Sequence, residues 1–200
     1  IDEDSAIDGG SLAVRVGDVL RLRMSLLAMN STSTVGSQAF KLQYADSLDC
    51  PSALNWDDVA PMSSTTAEWR GYNNGAVADR AALPSTLLTL SNIAESYTEE
   101  NNSTSTTVEI GVGQVGEWDW VLQSNVPTAG TNYCFRMVKS DGTPLDTHTV
   151  YPEALTNFAP NATILNSPFD NEKVSTTTPY LVFASVDPEV NDLDYEVQVS

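Results

Sequence analysis

Apolar and polar side chains alternate with a period of two along much of this chain, which predicts strands with one face in a core and the other in solvent. In residues 130–142, Tyr133, Phe135 and Met137 alternate with Cys134, Arg136 and Val138, and Ser140-Asp141-Gly142 closes the stretch. Gly accepts a positive φ in such a hairpin turn, and Asp bonds its own backbone. Residues 19–29 put Leu20, Leu22, Met24, Leu26 and Ala28 on one face and Arg21, Arg23 and Ser25 on the other. Residues 39–45 repeat the pattern, with Phe40, Leu42 and Tyr44 inward and Lys41 and Gln43 outward. In residues 117–123, Trp118, Trp120 and Leu122 oppose Glu117, Asp119 and Val121. A helix fails for residues 19–29, because their apolar set follows period two rather than the 3.6-residue turn.

Shorter signals fill the gaps. Residues 1–10 read as a flexible lead or an edge strand, and Gly17-Asp18 as a turn. Residues 46–64 form a loop broken by Pro51 and Pro61, with Trp56 as its anchor. Residues 68–72 predict a short strand, and Asn73-Asn74-Gly75 a tight turn. Residues 83–90 fit a strand or a helical turn, and residues 91–101 leave room for one short helix. Val108, Ile110 and Val112 alternate before a turn at 113–116, and residues 145–151 are expected to complete the hairpin begun by 130–142. Residues 157–163 read as a linker between a domain at 1–156 and a further one at 164–200. The latter has expected strands at 173–175, 180–184 and 195–199. The fold class this predicts is all-β, a β-sandwich followed by an incomplete second one.

Composition sharpens the reading. The chain has 200 residues, 41% of them hydrophobic, with Lys+Arg 9 against Asp+Glu 27 and a formal net charge of -18. That charge repels phosphate backbones and anionic membranes, so neither nucleic acid nor a bilayer is an expected partner. It tolerates cations, although acidity also serves solubility alone. No apolar run is long enough to span a membrane. Residues 1–4 have neither a basic nor an apolar leader region, so any signal peptide has been removed or lies upstream.

Reactive constellations are weak. The stretch 111–116, GVGQVG, matches a dinucleotide-binding glycine pattern but runs into a strand rather than a helix, so it reads as a turn. His148, the only histidine, has no partnered nucleophile in the sequence. Glu117 and Asp119 sit about 7 Å apart on one strand face, a spacing open to a carboxylate pair but ordinary for outward acids. Asp187, Glu189, Asn191, Asp192 and Asp194 cluster hard oxygens that calcium could use, or form a solvated loop. No other cofactor is expected. Trp118 and Trp120 suit the core, whereas Trp69 beside Tyr72 is the candidate exposed aromatic pair for a ligand. Asn30, Asn101, Asn102 and Asn161 begin N-x-S/T sequons. Ser/Thr-rich loops at 31–34 and 103–107 offer O-linked positions instead.

Three resemblances extend these readings. Residues 130–142 resemble the penultimate strand of an immunoglobulin or fibronectin type III sandwich, with a Tyr at its start. Pro160, Leu165, Ser167-Pro168, Val174, Pro179, Asp187-Pro188, Asp192, Leu193, Tyr195 and Glu196 resemble the opening of a fibronectin type III or cadherin-like bacterial repeat. GDVLRLRMSLL, SQAFKLQYAD, WRGYNNG, EWDWVLQ and YCFRMVKSDGTPLDT resemble a module of very long secreted surface proteins of uncultured bacteria. In the immunoglobulin-like order residues 39–45 neighbour the Cys134 strand. That order implies a Cys50–Cys134 disulfide in an oxidising compartment, closing about 80 residues for roughly 4–5 kcal/mol. Two buried thiols are the other reading.

The function expected is extracellular and structural rather than enzymatic. The chain would be a subunit or module of a bacterial cell-surface filament, sheath or stalk, with copies or repeats of itself as partners. The chain ends inside an expected strand, so it is either a piece of a longer chain or completed by strand addition from a neighbour. An adhesin holding glycans or proteins through loop aromatics is the alternative.

Overall fold

A computed structural model of the chain describes residues 12–89, 91–100, 102–157, 160–169 and 172–187. Its strands are β1 (Leu12–Val14), β2 (Val19–Leu27), β3 (Ala39–Asp46), β4 (Asp57–Asp58), β5 (Trp69–Gly71), β6 (Ile93–Thr98), β7 (Thr104–Ser105), β8 (Val115–Ser124), β9 (Asn132–Lys139), β10 (Glu153–Thr156), β11 (Ile164–Ser167) and β12 (Val182–Ala184). One 3-10 turn, Cys50–Ser52, interrupts them, and there is no α-helix among the described residues.

The strands form two main sheets. The larger runs β1-β10-β9-β3-β4, with β7 also on β3. The smaller runs β2-β8-β5, with β6 also on β8. Pairing is antiparallel except where β1 lies parallel to β10 and β6 parallel to β8. A separate pair, β11 and β12, is antiparallel, with Ile164 opposite Ala184.

Alternation makes the core. Leu20, Leu22 and Met24 of β2 and Trp118, Trp120 and Leu122 of β8 pack with Phe40, Leu42 and Tyr44 of β3 and Tyr133, Phe135 and Met137 of β9. Aromatic rings join the sheets edge to face: Phe40 meets Trp118 at 5.1 Å, and Trp69 meets Phe135 at 5.0 Å and Tyr133 at 5.5 Å. Such pairs contribute about 0.5–1.5 kcal/mol each beyond their burial. The result is a β-sandwich, as the period-two pattern predicts.

Side chains complete what the ladders leave open. Leu42 lies between the β4 and β7 pairings on the same edge of β3. The Asn102 carboxamide serves it there: Oδ1 accepts from Leu42 N at 2.7 Å, and Nδ2 donates to Leu42 O at 2.8 Å. Tyr133 Oη accepts from Thr128 N at 2.9 Å and donates to Glu68 Oε1 at 2.8 Å. Gly71 is required where β5 passes the chain after β6, since a Cβ there would stand 2.1 Å from Glu99 O.

Several expectations are corrected. Residues 93–98 are not helical but form β6, because their partner is the distant β8 rather than a local turn. Residues 83–89 are neither strand nor helix; Leu83 packs with Tyr97 and Val121 on the outer face of the smaller sheet. The hairpin partner of β9 is β10 rather than residues 145–151, which form a loop. Ile110 makes only an isolated bridge to Ser33. Residues 173–175 are not strand, and of 180–184 only Val182–Ala184 is. The strand expected at 195–199 lies outside the described residues, as does the lead at 1–10.

Three buried tyrosines hold their protons. Burial, with the charges of Glu68 and Asp57, pushes Tyr44 up to about 12. Burial, then Glu99, raises Tyr97, and burial raises Tyr133, with Glu68 adding to it. A raised folded-state value means the folded chain binds more protons once unfolded tyrosines ionise, so stability is full below pH about 10 and falls as pH climbs above it. Alkaline titration followed by tyrosinate absorbance and circular dichroism should show these three ionising together with unfolding. Free titration of all 7 tyrosines in an intact fold would contradict the account.

Candidate functional site

The outer face of the smaller sheet carries the densest charge. Antiparallel register sets Arg23 opposite Asp119, Ser25 opposite Glu117 and Arg21 opposite Val121. Both arginines therefore reach Asp119. Arg21 Nε and Nη2 donate to its Oδ2 at 2.9 and 2.5 Å, Arg23 Nη2 donates to Oδ2 at 2.7 Å, and Arg23 Nε donates to Oδ1. Arg21 also lies over the Tyr97 ring at 5.4 Å. Glu117 accepts from Leu87 N at 2.8 Å, Leu88 N at 3.3 Å and Asn92 Nδ2 at 2.9 Å, with Arg23 Nε at 3.6 Å. Glu95 Oε2 accepts from Thr107 N at 2.6 Å, Thr107 Oγ1 at 2.9 Å and Val108 N at 3.1 Å.

Glu117 and Asp119 were expected to face outward. Instead both are fully buried, because residues 72–89 and 91–92 fold over this face, bringing Tyr72 and Leu83 onto it and the backbone N–H groups of Leu87 and Leu88 to Glu117; Glu95 is likewise fully buried, held by Thr107 and Val108. Burying a carboxylate is costly unless it is paired and hydrogen-bonded, and here each is held by guanidinium groups or backbone N–H groups. Chemically the cluster is a brace: it fixes β2 to β8 and pins two loops.

The outer face of the larger sheet is reinforced differently. Cys50 and Cys134 form a disulfide across a sequence separation of 84. The resemblance implied this bond, and the register explains it: Cys134 lies opposite Ala45, and the 3-10 turn after β3 brings Cys50 back over the sheet. Beside it, Arg136 faces Gln43 and donates to its Oε1 from Nε at 3.1 Å and Nη2 at 2.8 Å. The same guanidinium lies 4.0 Å over the Trp56 ring. Trp56 stacks on Tyr151 at 5.9 Å, and Tyr151 on His148 at 5.5 Å. His148 Nε2 donates to the Met137 carbonyl at 2.9 Å. Lys41 and Gln43 converge on Asp58, at 2.6 and 2.9 Å. Trp56, Tyr151 and His148 remain partly exposed, so this row is the aromatic surface the fold presents.

Other candidates disperse. Trp69, expected as an exposed ligand-binding ring, is wholly buried between the sheets, because its strand β5 enters the core alongside β8. Its neighbour Tyr72 is half-buried in the outer cluster. Asp187 is buried, while Glu189, Asn191, Asp192 and Asp194 lie outside the described residues. Among the described residues no three or more His, Cys, Asp or Glu are grouped to hold a metal ion. Asn30 and Asn161 are exposed; Asn101 lies outside the described residues. Asn102 has both ends of its carboxamide engaged by Leu42, so a glycan on Nδ2 would compete with that latch. The 111–116 glycine pattern turns at Gly113, φ +80, and leads into β8, which is a strand. Among the described residues no helix is long and apolar enough to cross a membrane.

Sequence reasoning missed the Arg–Asp clamp and the Arg136–Trp56–Tyr151–His148 row. The alternating Arg21, Arg23 and Glu117, Asp119 were a legible signal, but their meeting depends on the β2–β8 register. The aromatic row has no local signal, since its members come from three separate segments.

Comparison with protein-family models, with curated proteins and with solved structures finds no match to this chain.

Two consequences can be measured. Asp119→Ala leaves two guanidiniums facing a buried gap and should cost about 3–5 kcal/mol in denaturant unfolding; a change under about 1 kcal/mol would show that the clamp is solvated. Reducing Cys50–Cys134 should cost about 4–5 kcal/mol by the loop it closes. Equal denaturant midpoints with and without reductant would contradict that.

Proposed function

We propose that this chain is an extracellular structural module, a subunit or repeat of a bacterial cell-surface filament, sheath or stalk, in which copies meet along sandwich edges and by strand addition. The observation that carries this reading is reinforcement on both outer faces: a disulfide with a stacked aromatic row on one sheet, and a buried Arg–Asp clamp on the other. A sandwich braced this way resists shear between strands, as a strut must. The charge of -18 fits an exposed, soluble surface and keeps copies apart except where edges pair.

An immunoglobulin-like type is part of the proposal. Its support is the Tyr at the start of β9 whose hydroxyl is tied to Thr128, five residues upstream, as in a tyrosine corner. The strand β1 beside the last strand of its sheet fits the same order. Two features depart from antibody-type domains, where the Tyr lies two residues before the second Cys and the bond crosses between sheets: here Tyr133 directly precedes Cys134, and the disulfide joins β9 to the turn after its own sheet neighbour β3. The β11–β12 pair is read as the opening of a second sandwich of the same kind. A two-stranded sheet is marginal alone, and Ile164, Phe169 and Tyr180 around it are strongly exposed.

A specific observation favours the second reading, an adhesin. Trp56, Tyr151 and His148 form a partly exposed row beside Lys41 and Asp58. That row replaces Trp69 and Tyr72 as the place where a glycan or protein would stack.

Electron microscopy and light scattering across a concentration series decide between them. The structural reading expects elongated polymers that appear as concentration rises. A monomer at every concentration, with glycan-array binding lost on Trp56→Ala, would overturn it in favour of the adhesin.

A further inference from the structure

Asn74-Gly75 is the only Asn–Gly pair in the chain and lies on an exposed turn. With no Cβ on Gly75, no side chain on that residue obstructs attack of its backbone nitrogen on the Asn74 side chain. In that reaction the Gly75 N bonds to Asn74 Cγ and gives its proton to solvent. The Cγ–Nδ2 bond breaks, and Nδ2 leaves as ammonia after taking a proton from water. Water then opens the cyclic imide, leaving aspartate or isoaspartate in place of asparagine, with no change of oxidation state.

The fold holds every atom of that reaction away from it. Gly75 N–H donates to Asn73 Oδ1 at 2.7 Å, so the nucleophile is engaged elsewhere. Asn74 Oδ1 accepts from Ala76 N at 2.9 Å and Val77 N at 3.3 Å. Asn74 Nδ2, the leaving group, donates to the Tyr97 hydroxyl. Asn74 N itself donates to Glu99 Oε2 at 3.2 Å. Tyr97 is the fixed point of this arrangement: it is buried on β6, packed with Leu83 and Val121 and covered by Arg21.

We propose that Asn74 is a latent deamidation site, gated by the Tyr97 contact, which converts only when the 73–77 turn lifts off β6. Ring closure requires the carboxamide to leave Tyr97, Ala76 and Val77 together. Three net hydrogen bonds, each worth about a fivefold factor, hold the native rate about 100-fold below that of the unfolded chain. Conversion is one-way in structure as well as chemistry. A carboxylate cannot donate to Tyr97, and it would face Glu99, which already holds the Asn74 N–H. Each opening of the turn therefore carries a chance of permanent release, so the site records how often this edge of the smaller sheet comes undone.

Peptide mass spectrometry of protein aged at mildly alkaline pH tests this, with native protein, guanidinium-denatured protein, Tyr97→Phe and Asn73→Ala as arms. The expected result is conversion at Asn74 about 100-fold faster when denatured, and several-fold faster in the folded variants. Equal native and denatured rates would overturn the proposal, as would folded Tyr97→Phe converting at the native rate. Should Tyr97→Phe fail to fold by circular dichroism, Asn73→Ala takes its place, and conversion of that variant at the native rate is the overturning result.

Discussion

The structure depends on one strand, β8, being covered on both faces. Its inward side chains, Trp118, Trp120 and Leu122, fill the core against the larger sheet. Its outward side chains include two carboxylates, which an exposed strand would leave in water. Folding residues 72–89 and 91–92 over them is tolerable only because Arg21, Arg23 and the backbone N–H groups of Leu87 and Leu88 supply positive charge and donors at the right places. Removing these partners would leave an uncompensated buried charge, so the clamp fixes register as well as position. A one-residue slip of β2 would turn the arginines inward and the leucines out.

Period two made the inward half of the fold legible. Leu20, Leu22, Phe40, Leu42, Trp118, Trp120, Tyr133 and Phe135 are buried where alternation put them. The outward half was not legible, because alternation says which residues share a face but not what later covers it. Glu117 and Asp119 looked like solvent-facing acids; the loop at Leu87, Leu88 and Asn92 over Glu117, and the two arginines over Asp119, make them interior. Parallel pairing hid β6 for a related reason. A strand whose partner is distant and parallel, and which bulges between Ala94 and Tyr97, offers no hairpin signal and little clean alternation. Trp69 was misplaced because a three-residue strand is too short to show a period, so its one large ring gave no hint of direction.

The same logic bears on function. Edges are where a sandwich meets its neighbours, and this chain treats them unequally. The β3 edge is blunted by a two-residue strand of aspartates, Asp57 and Asp58, and by the Asn102 latch, both of which discourage pairing with another chain. On the outer face of the larger sheet, Trp56, Tyr151 and His148 are joined in a row that starts at Arg136. Faces built as braces and one edge that discourages pairing are what the proposed strut would need.

Native-state hydrogen exchange is the most direct test of the central claim, because it reads the strand itself. If double coverage of β8 is the constraint on which the fold rests, amides of residues 117–122 exchange only through global unfolding and are the slowest in the chain. If those amides exchange on the timescale of the exposed loops while the core of β3 and β9 stays protected, the smaller sheet opens independently, and β8 is not what holds the sandwich together.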